Sequence, residues 1–179
     1  PQHPEWEGRT IAEIAAAAGV DGRDMADRIV EAEGRACIVV VDMMAEDDVR
    51  DVMGHAAVMI GSDGVPMGSK PHPRLHHTYP RVLGRYVRDL GLLDLPDAVR
   101  RMTSVPAQRF GFVDRGEIRE DAFADLVLFD PDAIVDTGTY SDPTTVPAGI
   151  EGVWVNGVAV TAQGAVTGER PGSVIRGRR

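Results

Sequence analysis

The chain has 179 residues, 43% hydrophobic and 26% charged, with a formal net charge of −9 at pH 7, a composition that fits one fair-sized globular domain or two small ones and excludes disorder. The excess of acid argues against a nucleic-acid partner, which needs clustered Lys and Arg; Lys70 is the one lysine in an otherwise all-Arg basic set. Cys37 is the single cysteine, so no intrachain disulfide can form, and with no apolar run near the roughly 20 residues of a membrane span and no signal-peptide order at the N-terminus, the expectation is a cytoplasmic chain without a membrane partner.

In chain order, Thr10 and Glu13 have the spacing of a capping box, and the Ala-rich run behind them ends at Gly19, which predicts a short helix from Ile11 to Ala18. Asp21 opens a second helix, with Met25, Ile29 and Val30 as its apolar face, stopping before Gly34. The run "ACIVVVD" is β-branched and reads as a buried strand, in which Cys37 is a small core residue. "AEDDVRDVMGH" reads as a short helix with its acids at the favourable N-terminal end and His55 as a surface or cap residue at the other. "AAVMIGSDG" follows as a second buried strand. Strand and helix alternating in this way predict parallel βα units.

The stretch "VPMGSKPHPRLHHT" holds three prolines and no usable periodicity, and reads as a loop. Tyr79 and Pro80 then start a helix whose apolar positions Val82, Leu83, Tyr86, Val87 and Leu90 follow helical spacing up to Gly91. Asp94 and Asp97 bracket the start of another, with Ala98, Val99 and Met102 inward. From Phe110 onward the pattern switches to short strands, "ADLVLFD" and "GVWVNGVAV", the second broken by Asn156-Gly157, a strong hairpin signal. A β module of about 70 residues is too small for a good core of its own.

The candidate chemistry gathers after the second strand. An apolar strand that ends in Ser62-Asp63-Gly64 has two readings: an ordinary turn, with Asp63 capping N–H groups and Gly64 taking positive φ, or a β/α-barrel strand delivering a catalytic carboxylate at its C-terminal end. Arg74 on the loop beyond is either a solvated side chain or an anion-binding fork. His72 and His76 are four apart, but Pro71 and Pro73 disfavour a regular helix there, so the spacing does not make one metal-binding face; shaping a pocket mouth is the better reading of His72.

The order of "MIGSDG", "HPR", "TYPRVLGRYVR", "MTSVPAQRFGF", "RGEI", "ADLVLFD", "TYSDP", "PAGIEGVWVNG" and "PGSVIRG" resembles the C-terminal part of the N-acyl-D-amino-acid deacylases, or D-aminoacylases, of the amidohydrolase superfamily, from about Trp6 to the end. "PAQRFG" and "ADLVLFD" are common across the superfamily, whereas "MIGSDG" with "HPR" and "TYPRVLGRYVR" is narrower. One departure is Asp121, where the family usually has Gly in a turn; Asp tolerates left-handed backbone better than most residues.

The resemblance implies an α/β fold: the C-terminal portion of a TIM-type (β/α)8 barrel over residues 1–110, of which 1–42 derive from a lid-like insertion and 43–110 form the last barrel units, followed by a small β-sandwich module over 111–179. It implies a Zn2+-dependent amide hydrolase acting on N-acyl-D-amino acids. Asp63 is then the general acid/base and a weak or second-site metal ligand, Arg74 the group that binds the substrate carboxylate, and Ser62, Gly64 and His72 parts of the same substrate-binding stretch. A carboxylate is needed there because water activated by a metal must give up a proton as it attacks the amide. The family also uses a metal-bridging cysteine, but nothing around Cys37 matches it.

No H-x-H pair occurs among the five histidines, so the remaining metal ligands are expected outside this chain, which alone should be inactive and retain little zinc. The expected partner is the N-terminal part of the enzyme or a complementary chain, or else a second copy. Two alternatives stand beside this reading: a hydantoinase- or dihydroorotase-like cyclic amidase, and a non-catalytic structural remnant of the fold.

Overall fold

The computed structural model describes residues 2–34, 39–41, 43–162 and 164–177. Helix α1 (Ile11–Ala18) starts on the capping box: Thr10 Oγ1 accepts from the Glu13 amide while the Glu13 carboxylate accepts from the Thr10 amide, and Gly19 closes it in the left-handed region. Asp21 caps α2 (Gly22–Glu33) by accepting from the amides of Arg23 and Asp24. Ile14, Ala15 and Met25 are buried between the two helices, with Trp6, Val20 and Ile29 packed against them. Val30, expected on that face, is exposed.

Helix α3 (Glu46–Gly54) carries Glu46, Asp47 and Asp48 in its first turn, as the helix dipole favours. Helix α4 (Arg74–Arg81) begins earlier than the sequence suggested, with Pro73 as its N-cap and Pro80 inside it. Pro73 can stand at a helix start because the amide it lacks would have no partner there; Pro80 removes an interior bond. The chain then widens into a π-helical stretch, Val82–Asp89, closed by a five-residue bond from the Leu90 amide to the Arg85 carbonyl. Helix α5 (Leu95–Met102) is capped by Asp94, which accepts from the Asp97 amide at 2.7 Å. A further helix, α6 (Ser104–Phe110), follows directly where no element was expected. Pro106 masks it in the sequence, yet falls in its first turn, where proline is tolerated.

Val82, Tyr86, Leu93 and Ala98 form the core of this helical layer, and Ile60 packs against it. Leu90, predicted inward, is exposed. Of the two expected parallel strands, the first lies mostly outside the described residues, with 39–41 exposed, and the second is not formed: Val58–Ile60 run half-buried without ladder bonds, and among the described residues before position 110 none pairs in a sheet. A strand needs a neighbour to accept its backbone bonds, and none of the described segments supplies one. Cys37 lies outside the described residues.

The C-terminal part holds one antiparallel sheet, in the order β1 (Leu126–Phe129), β2 (Ile150–Val155), β3 (Val158–Ala162) and β4 (Ala165–Val166). Asn156 and Gly157 turn β2 into β3 with φ of 50° and 80°, the mirror-image turn whose twist suits paired strands. Asp121 sits at φ 64°, adopting the left-handed backbone its position demands. Leu126, Val127 and Leu128 of β1 are exposed. Residues 130–149, between β1 and β2, cross over α4 and the π-helical stretch. Buried Ile134, the Arg81–Asp136 ion pair (2.8 Å) and the 2.6 Å bond from Arg88 Nη1 to the Ile134 carbonyl fix the sheet to the helices. No helix among the described residues is long and apolar enough to cross a membrane.

Candidate functional site

The segment entering the site rises from the end of α3. Ile60 anchors it in the helical core, and three residues on Asp63 turns outward with φ 47°, its side chain 81% exposed. The turn is therefore made by Asp63 itself and not by Gly64, reversing the expected division of labour. Aspartate can stand there because its short polar side chain tolerates left-handed backbone. Gly64 is required for another reason: a Cβ on it would lie 2.8 Å from Leu75 Cα, so the segment and α4 approach as closely as backbones allow. Ser62 Oγ accepts from the Gly64 amide at 3.3 Å, a local bond that holds the turn.

This close approach brings the first residue of α4 against the carboxylate. Arg74 Nη2 lies 3.0 Å from Asp63 Oδ2. Arg74 is placed by His72, whose Nδ1 accepts from the Arg74 amide at 3.0 Å, so that the ring is the tautomer with its proton on Nε2. Burial, and then the Arg74 guanidinium, hold the His72 pKa below the usual histidine value, with Asp63 opposing. The His72 ring meets Tyr140 edge-on at 5.2 Å. Tyr140 belongs to "TYSDP", a stretch that the sequence marked only as a piece of the resemblance. Its contact with the site depends on the 130–149 crossing, which no local pattern reveals.

The three neighbouring histidines thus do different things. His77 is buried, with Nε2 3.3 Å from Thr145 Oγ1 and a buried Nδ1 that has no hydrogen-bond partner among the described residues; its pKa is pushed down, chiefly by burial. His76 is exposed and faces the His77 ring edge-on. His55 is the C-cap of α3, its Nδ1 accepting from the Ala57 amide at 3.2 Å. Among the described residues no three His, Cys, Asp or Glu side chains converge as a metal would require. The described residues therefore do not by themselves make a metal site.

The site brings together Asp63, Ser62, Gly64, Arg74 and His72 within one turn and one helix start. A family model for the amidohydrolase family matches residues 7–161. The chain is similar to a D-aminoacylase of Alcaligenes xylosoxydans xylosoxydans, 44% identical over 172 residues, and to an N-acyl-D-glutamate deacylase of the same organism, 45% identical over 174 residues. These alignments cover 96% and 97% of this chain but 34% of each relative, so the chain spans about a third of their length. Among solved structures, the N-acyl-D-glutamate deacylase of Bordetella bronchiseptica, complexed with zinc and a phosphonate mimic of the tetrahedral intermediate, superposes with a TM-score of 0.85 at 42% identity, over 98% of this chain and 36% of that one. The agreement of motif order, local geometry and fold has one reading: the chain belongs to the amidohydrolase family.

Proposed function

We propose that this chain forms the C-terminal part of a zinc-dependent hydrolase that removes the acyl group from N-acyl-D-amino acids, with residues 43–110 as its last barrel units and 111–179 as one layer of a β-sandwich. The lone extended segment before Asp63 and the uncovered apolar face of β1 support that arrangement, since each lacks the neighbour such an architecture supplies. The observation that carries the chemistry is the 3.0 Å pairing of Arg74 with Asp63, which sets a carboxylate-binding fork beside a proton carrier.

An N-acyl amino acid has a free carboxylate next to its scissile amide. Arg74 has five donors in a plane, of which Nη2 faces Asp63, leaving others to hold that carboxylate bidentately. His72 fixes where the fork starts by accepting the Arg74 amide, and Ser62 and Gly64 set its distance from Asp63. Asp63 Oδ2 is turned to Arg74, so Oδ1 is the oxygen that takes the proton from water as the C–O bond forms, and returns it to the amide nitrogen as the C–N bond breaks. Zinc, when bound, polarises the carbonyl and acidifies water. Most of its ligands would come from outside the described residues.

The test is Asp63→Asn in the complete enzyme. The isosteric amide keeps the shape of the turn but cannot carry the proton, so kcat should fall by roughly 10² to 10⁴ while metal content is largely kept. Turnover near that of the unmodified enzyme would remove the assignment.

A further inference from the structure

Arg101 is a buried charge, 5% exposed, on the last turn of α5. Its Nε donates to Asp97 Oδ2 at 2.6 Å, and its Nη1 donates to the carbonyls of Met53 and His55, both at 2.8 Å. Those carbonyls lie at the end of α3, where a helix leaves its last acceptors without intrahelical partners. The Arg101 carbonyl is itself such an orphan at the end of α5, and it accepts from the Ile60 amide at 3.1 Å. One residue therefore grips the chain at 53–55 with its side chain and at 60 with its backbone, three residues before Asp63. Among the described residues, the Ile60 bond is the one backbone hydrogen bond from segment 56–62 to a distant part of the chain.

A buried guanidinium is costly compared with an apolar side chain of similar size, so packing α5 on α3 does not call for one. What it adds is direction. The planar fork ties two carbonyls and a carboxylate to one rigid group, and Arg100 holds Asp97 Oδ1 at 2.7 Å.

We propose that Arg101 is a positioning residue for proton transfer at Asp63: by holding both ends of the lead-in segment it sets the height and direction at which the Asp63 carboxylate enters the site. This rests on the reading of Asp63 as the proton carrier. Arg74 stands on α4, which Arg101 does not touch through any hydrogen bond, so binding of the substrate carboxylate should depend on Arg101 far less than the chemical step does.

The experiment is a double-mutant cycle in the complete enzyme, with Arg101→Gln and Asp63→Asn alone and together, on an N-acyl-D-amino acid at saturating and limiting concentration. Arg101→Gln should lower kcat about 10-fold with KM little changed, because small displacements of a reacting group cost that much. In the Asp63→Asn background the same change should cost nothing further, since the group it positions is already disabled. Arg101→Lys, which can still reach Asp97 but cannot present the planar fork, should give an intermediate kcat, and it covers the case in which the glutamine variant does not fold. Equal losses in both backgrounds would mean a general structural role and overturn the proposal, as would full activity of both Arg101 variants while Asp63→Asn is inactive. An active Asp63→Asn would remove the proposal together with the reading beneath it.

Discussion

Replacing Arg74 with Lys keeps the charge and loses the geometry. The guanidinium can face Asp63 with one nitrogen and a substrate carboxylate with the others, whereas an ammonium is a point charge that must be shared between them. Arg74→Lys should therefore raise KM for N-acyl-D-amino acids with a free carboxylate roughly 10-fold or more, with a smaller effect on kcat, and leave hydrolysis of the corresponding carboxamides unchanged. Steady-state kinetics on the two substrate types checks this, and equal losses on both would count against the role. At this scale the sequence was informative about identity and misleading about conformation. Asp63 and Arg74 are marked as site candidates by the family resemblance of "MIGSDG" and "HPR", and Asp121 could be matched to a left-handed turn because that rests on a local residue preference. That Asp63 takes positive φ while Gly64 instead makes room for Leu75 could not be read, because the second is a contact between separate elements.

Elements were legible where their stability is local. Helix α1 has its capping box and glycine stop, α5 its Asp94 cap and the β2–β3 hairpin its Asn-Gly turn, and each formed where expected. Elements that depend on partners were not: the apolar run before Asp63 has no ladder to join among the described residues, and α4 begins among prolines that hide it. Helix α4 and the loop leading into it carry their own pH dependence. The His72 and His77 pKa values are both held below the ordinary 6.5, chiefly by burial, so the folded state binds fewer protons than the unfolded one in the interval beneath that value. Stability from these rings is then complete above about pH 6.5 and is lost as pH falls through their lowered folded values. The carboxylates depressed in the fold, such as Asp97 with its bond from Arg100 and Glu13 with its bond from the Thr10 amide, act only below their ordinary values of 3.8 for aspartate and 4.5 for glutamate, so the two effects separate. Melting temperature should decline on acidification below about pH 6.5, and His72→Asn, whose amide oxygen still accepts from the Arg74 backbone without titrating, should flatten part of that decline. A melting temperature constant from pH 7.5 down to pH 5 would contradict the assignment.

At the scale of the whole molecule, surface area decides. The chain exposes 12371 Å² for 19.3 kDa, where a compact monomer of that mass exposes about 8,500 Å². The excess of roughly 4,000 Å² on one chain is above the roughly 1,000–2,500 Å² each partner contributes to an obligate interface, and the exposed apolar residues include Met43 and Met44, residues 39–41 and β1. A net charge of −9 opposes pairing of two like copies, whereas a complementary chain need not share that sign. The purified 179-residue chain should therefore be unstable as a monomer and should gain a sharp unfolding transition when a polypeptide carrying the rest of the fold is supplied. Zinc should follow the same course: a catalytic site needs about three protein ligands, and among the described residues no such cluster occurs, so metal should stay with the assembled complex and wash out of the isolated chain. Sedimentation velocity with metal analysis on the chain alone and on the mixture tests both expectations. A well-folded monomer that retains stoichiometric zinc and hydrolyses an N-acyl-D-amino acid unaided would show that the site is complete within these residues, and would overturn the proposed division of the enzyme.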